Sequence, residues 1–252
     1  MGLNTITLRR IASDVKYIID NSNILKDENI YYKHDEENIL KGYAMIIGSE
    51  DTPYYCGFYF FEFNFPENYP FEPPKVTYLT NDGKTRFNPN FYINGKVCLS
   101  VLNTWSGDNW TSCQTINSIL LILASRFNKN PLLNEPGITK NNVNIKEYNS
   151  LLSYKNIEFA ILEQYNIIKK IENNSDYFKN SNSKSNNYYN VIYLFKDFFI
   201  EIFKNNYEII KNSCASLNKN LKKSNINVST YNLKFQLDYH KLIDDLNKID
   251  LM

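Results

Sequence analysis

Cys98 closes the run Phe87-Asn88-Pro89-Asn90-Phe91-Tyr92-Ile93-Asn94-Gly95-Lys96-Val97-Cys98, an irregular, polar-rich stretch rather than a regular apolar stripe. A thiol in such a loop is a candidate nucleophile, because thiolate attacks strongly even when little of it is ionised and a free cysteine has a pKa of about 8.5. A small buried thiol fits the same residues, since cysteine is among the residue types most often found inside. A Cys/His hydrolase would need a base beside the nucleophile. His34 falls in an early strand region and His240 in the tail, so local spacing supplies none.

The other cysteines, Cys56, Cys113 and Cys214, are scattered and form no CxxC pair, so neither a disulfide framework nor a redox motif is implied. With two histidines in all, ligands at metal-binding spacing are lacking, and no metal is expected. The 28 basic and 27 acidic residues nearly cancel, which argues against a partner bound through the nucleic acid backbone. No apolar run approaches bilayer-spanning length and the first residues lack the apolar core of a secretory signal, so no membrane partner is expected and a reducing cytoplasmic or nuclear setting follows. Gly2 does not make a myristoylation signal, because Thr7 falls one place late.

Several elements must position Cys98. Ile6, Ile11, Val15 and Ile18 recur at largely helical intervals and predict a helix over Asn4 to Asp20. Stretches around Ile30 to Lys33, Leu40 to Ile47, Cys56 to Phe63 and Val76 to Leu79 read as a four-stranded antiparallel meander. Between the last two, Pro66, Pro70, Pro73 and Pro74 remove backbone donors, which implies a rigid crossing that is neither helix nor strand. From Asn81 to Asp108 the periodicity is poor yet the run is apolar, so its order must come from packing. Ile116, Ile119, Leu120, Leu123 and Phe127 predict a helix over Gln114 to Phe127.

Beyond Gly137 the pattern becomes that of long amphipathic helices, one carrying Ile157, Ile161, Tyr165 and Ile168, another Ile192, Phe195, Phe199, Ile202 and Phe203. A Ser/Asn/Lys-rich stretch from Asn173 to Asn187 is expected to be a mobile loop, and a last helix to cover Tyr231 to Lys248. The expected fold is α+β, with a core over residues 1–137 and a helical C-terminal extension over 138–252.

The order of these features resembles the ubiquitin-conjugating enzyme family. The matching residues are the Tyr69 to Pro74 crossing, the Asn88-Pro89-Asn90 turn, and Cys98-Leu99, with the cysteine eight residues after Asn90. Phe87 to Gly107 and the Asn134-Glu135-Pro136-Gly137 run resemble the large, Z-type members, which also carry a C-terminal helical extension. The resemblance covers Leu3 to Gly137 and, less closely, Tyr148 to Leu162 and Leu237 to Leu246. Two departures stand out. Most members have His where this chain has Asn88, a residue that can also shape the turn through backbone hydrogen bonds. Trp110 matches the family's tryptophan only across an insertion around Trp105 to Asp108, which enlarges the loop rimming the site.

The resemblance implies a modifier, ubiquitin or a relative, carried as a thioester on Cys98 after transfer from an activating enzyme, then passed to a substrate lysine or a ligase. Thioester exchange is nearly isoenergetic and needs no dedicated base. Attack by an amine passes through an oxyanion, for which Asn90 is the candidate donor; an Asn that only ties the loop down fits the same pattern. Asn88, Pro89, Leu99 and Trp110 would shape the site. Phe71, Ser112 and Cys113 match the loops that meet ligases, and Arg9 and Arg10 match the helix face that meets the activating enzyme; an exposed arginine pair is also an ordinary solvated face. The acidic residue that often gates the incoming lysine is missing from Asn130 to Asn134, and Glu135 is the nearest candidate. No cofactor is implied, because ATP is consumed by the activating enzyme. A non-catalytic modifier-binding scaffold of the same fold is the alternative, against which the presence of Cys98 speaks.

Overall fold

Helix α1 spans Thr5–Asp20 and begins where the Asn4 side chain accepts the Ile6 N–H at 3.0 Å. Its buried face is Thr7, Ile11, Asp14 and Ile18, one residue every three or four positions. Ile6, expected on that face, is exposed, and the polar Thr7 and Asp14 take inward positions because each finds a partner: Thr7 Oγ1 donates to the Glu67 carbonyl at 2.7 Å, and the Asp14 carboxylate is hydrogen-bonded on both oxygens. The computed structural model describes residues 4–174, 184–221 and 223–249. The Gly2 signal considered above lies outside them.

After the short helix α2, Ser22–Asp27, come β1 (Ile30–His34), β2 (Lys41–Ile47), β3 (Phe58–Asn64) and β4 (Lys75–Tyr78), one sheet in the order β1-β2-β3-β4. This is the expected meander, with Ile30 opposite Ile46 and Phe61 opposite Tyr78. β3 is buried from Phe58 to Phe63 without alternation, as expected of a strand covered on both faces. The proline-rich crossing between β3 and β4 carries a cis Tyr69–Pro70 bond and a fully buried Tyr69 ring. Helix α3, Ile116–Ser125, starts at a capping box in which Ser118 N–H donates to Thr115 Oγ1 at 3.1 Å and Thr115 N–H to Ser118 Oγ at 2.9 Å.

The chain divides into two compact units: Met1–Ile47 with Tyr59–Pro136, and Gly48–Phe58 with Gly137–Met252. In the second unit α4 (Asn144–Lys155), a π-helical stretch (Asn156–Glu163) and α5 (Gln164–Glu172) run on without a break. The stretch is bracketed by two buried amides, Asn156 donating to the Tyr55 carbonyl at 2.8 Å and Gln164 to that of Phe58 at 2.9 Å, which ties Gly48–Phe58 into this unit. The Phe58 ring lies 4.0 Å from that of Phe199.

Helices α6 (Lys184–Leu194) and α7 (Lys196–Leu221) follow. Of the stretch expected to be a mobile loop, residues 184–187 belong to α6, and residues 175–183 lie outside those described. The single helix expected over Tyr231 to Lys248 is a strand and a helix instead. β5 (Lys223–Val228) pairs with β6 (Leu233–Asp238) around Asn232, whose φ is 52°, and α8 covers Tyr239–Asn247. In β6, Leu233 and Leu237 are buried while Lys234 and Gln236 are exposed, a two-residue period that the pairing with β5 selects. The Asp238 side chain then caps α8.

Candidate active site

The loop from β4 to α3 is held by a dense set of local bonds. A tight turn, Gly95 N–H to the Tyr92 carbonyl at 2.9 Å, is anchored to the sheet edge where Tyr78 N–H donates to the Gly95 carbonyl at 2.8 Å. Gly95 has φ of +86°, which favours glycine, and a Cβ there would sit tightly against Tyr78 O and Thr77 Cγ2 at 3.1 Å. The turn leads into Val97 and Cys98, and Cys98 is 3% exposed.

Cys98 and Asn90 are joined twice. The Cys98 N–H donates to the Asn90 carbonyl at 2.8 Å, and Asn90 Nδ2 donates to the Cys98 carbonyl at 2.8 Å. Asn88, fully buried, supports this pair: its Oδ1 accepts the Asn90 N–H at 3.0 Å and its Nδ2 donates to the Arg126 carbonyl at 2.8 Å, just past the end of α3. One Asn88 amide thus bridges two segments of the chain. Pro89 and Leu99 are both buried.

Thr104 and Arg86 also hold the site, and the sequence reading passed over both. Thr104 Oγ1 accepts the Leu99 N–H at 2.9 Å and lies 2.8 Å from the Val97 carbonyl and 3.0 Å from that of Leu99, while its own carbonyl accepts the Cys98 thiol at 3.1 Å. Arg86 donates to the carbonyls of Asn88 at 3.1 Å and Pro89 at 2.5 Å and packs 3.4 Å over the Tyr92 ring. Neither marks itself in the sequence, since a threonine in a loop and an arginine two residues before a turn have many ordinary uses.

The remaining candidates gather elsewhere. Trp110 is buried, donating Nε1–H to the Pro70 carbonyl at 2.7 Å, and its N–H is accepted by Asn103 Oδ1 at 2.9 Å. It buttresses the proline-rich crossing rather than Cys98. Arg10, expected on a solvated face, is half-buried: its guanidinium donates to the Ser112 carbonyl at 2.5 Å and to that of Gln114, and pairs with Asp14 at 2.9 Å. Asp14 accepts the Tyr69 hydroxyl at 2.6 Å and the Ile116 N–H at 3.3 Å, so one carboxylate joins α1, the crossing and α3. Burial, and then Asp14, holds the Tyr69 hydroxyl far above its ordinary range. Arg9, Ser112 and Cys113 are exposed, and Phe71 is 61% exposed.

Asn130 to Asn134 is occupied by a short 3-10 turn, Pro131–Asn134, whose Asn134 Nδ2 donates to the same Arg126 carbonyl that Asn88 uses, at 3.1 Å. Glu135 is half-buried just after it. Among the described residues no group of three or more His, Cys, Asp and Glu side chains could hold a metal ion, and no helix is long and apolar enough to cross a membrane. Burial pushes the Cys56 and Cys214 thiols up to about 11, which leaves them poor nucleophiles.

A helix, a four-stranded meander, a proline-rich crossing and a cysteine loop locked to an Asn-Pro-Asn turn define the core of a ubiquitin-conjugating enzyme. Residues 10–160 match that family, described as "Ubiquitin-conjugating enzyme", and the chain belongs to it. Ubiquitin-conjugating enzyme E2 Z of Xenopus tropicalis is 42% identical over 132 residues, which cover 51% of this chain and 42% of that protein. The protein of the same name from Homo sapiens is 42% identical over 132 residues, 51% of this chain and 37% of that protein. The human "Dual E2 ubiquitin-conjugating enzyme/E3 ubiquitin-protein ligase BIRC6" is 31% identical over 168 residues, 62% of this chain and 4% of that protein. The match to E2 Z thus spans about two fifths of the length of those curated relatives.

Proposed function

We propose that this chain accepts ubiquitin or a ubiquitin-like modifier from an activating enzyme as a thioester on Cys98 and passes it to a substrate lysine or to a ligase. The observation that carries the reading is the reciprocal Asn90–Cys98 pair, which puts an amide donor beside the nucleophile at a fixed distance. In loading, the Cys98 sulfur attacks the carbonyl carbon of the incoming thioester. A new C–S bond forms, the old one breaks, and the thiol proton passes to the departing thiolate. In discharge an amine nitrogen attacks the same carbon, the C–S bond to Cys98 breaks, and the sulfur recovers a proton. ATP is used upstream, and the chain needs no cofactor of its own.

Asn90 is the proposed oxyanion donor. Its Nδ2 is engaged with the Cys98 carbonyl, so stabilising an oxyanion requires the second N–H or a swing of the amide. Its Oδ1 is buried without a hydrogen-bond partner, a cost of about 1–3 kcal/mol that a purely structural tie would not need. Exposed Phe71, Ser112 and Cys113 are available to a ligase, and Arg9 to an activating enzyme. Arg10 would contribute mainly by holding the Ser112 and Gln114 carbonyls in place. A reducing cytoplasmic or nuclear setting suits a chain whose four cysteines are all free thiols.

The test is loading with activating enzyme, ATP and modifier. Cys98→Ala should take up none, and Cys98→Ser should form at most an oxyester that resists thiol reductants. Asn90→Ala should load and then discharge slowly, with the discharge barrier raised by about 2.7–4 kcal/mol if one oxyanion donor is removed. Failure to load with any modifier would overturn the reading.

A further inference from the structure

Thr104 touches Cys98 from two sides. Its hydroxyl bridges the backbone before and after the cysteine, at the Val97 carbonyl and at the Leu99 N–H, and its carbonyl is the acceptor of the thiol. It reaches there because Leu99 to Asn103 turns back on itself: Leu102 N–H donates to the Leu99 carbonyl at 3.1 Å, Asn103 N–H to that of Ser100 at 2.8 Å, and Thr104 N–H to that of Leu99 at 3.2 Å. Asn103 takes φ of 55° at the corner, and its side chain is held by the Trp110 N–H at 2.9 Å. Immediately beyond, residues 105–109 are exposed, so the clasp stands at the root of the loop expected to be enlarged.

We infer that Thr104 is a positioning residue for Cys98, a clasp that fixes the backbone on both sides of the nucleophile and keeps its thiol covered until the turn yields. Cys98 is 3% exposed and its sulfur lies 3.1 Å from the Thr104 carbonyl oxygen, within hydrogen-bonding reach of the thiol. A carbonyl offers nothing to a thiolate, so the S–H···O contact must break before the sulfur can attack. The hydroxyl helps hold that carbonyl in place, for together with the Thr104 N–H it binds Thr104 to the segment carrying Cys98.

The inference rests on the proposed function for its meaning in catalysis, but its test needs neither activating enzyme nor modifier. The full chain is alkylated with iodoacetamide and each cysteine is followed by peptide mass. Exposed Cys113 is the internal reference, and buried Cys56 and Cys214 report the intact fold. Thr104→Val keeps the shape and loses the hydroxyl. The ratio of the Cys98 rate to the Cys113 rate should rise about tenfold, as for the loss of a clasp worth one ordinary hydrogen bond, and Thr104→Ser should stay within about twofold of wild type. An unchanged ratio in Thr104→Val, or a serine variant that behaves like the valine variant, overturns the inference.

A second measurement does not depend on either variant folding. The S–H stretching band of Cys98, isolated by difference against Cys98→Ala, should lie at lower frequency than that of Cys113, isolated against Cys113→Ala. A band at or above that of Cys113 contradicts the clasp. Loading assays are read separately: wild type that fails to load defeats the proposed function, while these two readouts judge Thr104 alone.

Discussion

Replacing Asn88 by Asp changes one atom of consequence. Nδ2, which donates to the Arg126 carbonyl at 2.8 Å, becomes an oxygen facing that carbonyl, while Oδ1 can still accept the Asn90 N–H. The site is fully buried, so an ionised carboxylate there is both desolvated and repelled. It can instead take up a proton and donate to Arg126, which raises its folded pKa above the unfolded value of about 3.9. Between those two pKa values the folded chain holds one proton more than the unfolded chain, so stability falls as pH rises through the window. If the folded pKa reaches about 7, the loss at neutral pH is roughly 4 kcal/mol, at 1.36 kcal/mol per unit, and close to zero below about pH 4.

Asn88→Ala makes the control. It orphans the Asn90 N–H but leaves the Arg126 carbonyl with Asn134 Nδ2 at 3.1 Å, so it should cost about 1–3 kcal/mol at every pH. Thermal unfolding followed by circular dichroism from pH 4 to 7.5 reads both variants against wild type. The Asp variant should start near or above the Ala variant at pH 4 and fall below it at pH 7. Parallel curves for the two would refute the bridging role assigned to the Asn88 amide.

Other substitutions test the supports of the site. Asp14→Ala removes the acceptor of Arg10, Tyr69 and the Ile116 N–H, and should cost about 3–5 kcal/mol in chemical denaturation, whereas Asp20→Ala, which breaks an exposed pair with Lys16, should cost at most about 1 kcal/mol. Gly95→Ala forces a side chain into a left-handed φ and against the Tyr78 carbonyl, and should lower stability by about 1–2 kcal/mol, measured the same way. Burial holds the His34 imidazole below its ordinary range, against the opposing pull of the Ile39 carbonyl and Asp35. Its contribution is therefore present above about pH 6.5 and lost as pH falls below it, and His34→Gln should flatten the stability profile between about pH 5 and 7.

The contiguous part of the site was legible in the residues. Asn88, Asn90 and Cys98 lie in one short run, and the turn chemistry that joins them is local. Thr104 was not, because its role depends on the chain folding back after Leu99 so that a hydroxyl reaches the far side of Cys98. Arg10 read as a solvated side chain because the carbonyls it binds, Ser112 and Gln114, belong to a turn about a hundred residues away. The meander and α3 followed from apolar spacing. The β5–β6 hairpin did not: Leu233 and Leu237, then Leu242 and Leu246, fit helical intervals as well as a strand followed by a helix, and only the pairing with β5 decides. Ile6 failed as a core residue because Thr7 and Asp14, paid for by hydrogen bonds, took the inward face of α1.

The most direct measurement of the central claim is a peptide map, under non-reducing conditions, of the wild-type chain after incubation with activating enzyme, ATP and modifier. The account predicts one modifier joined through Cys98, released by a thiol reductant and missing from Cys98→Ala. A modifier joined through exposed Cys113 instead, or an adduct that persists in Cys98→Ala, would contradict it.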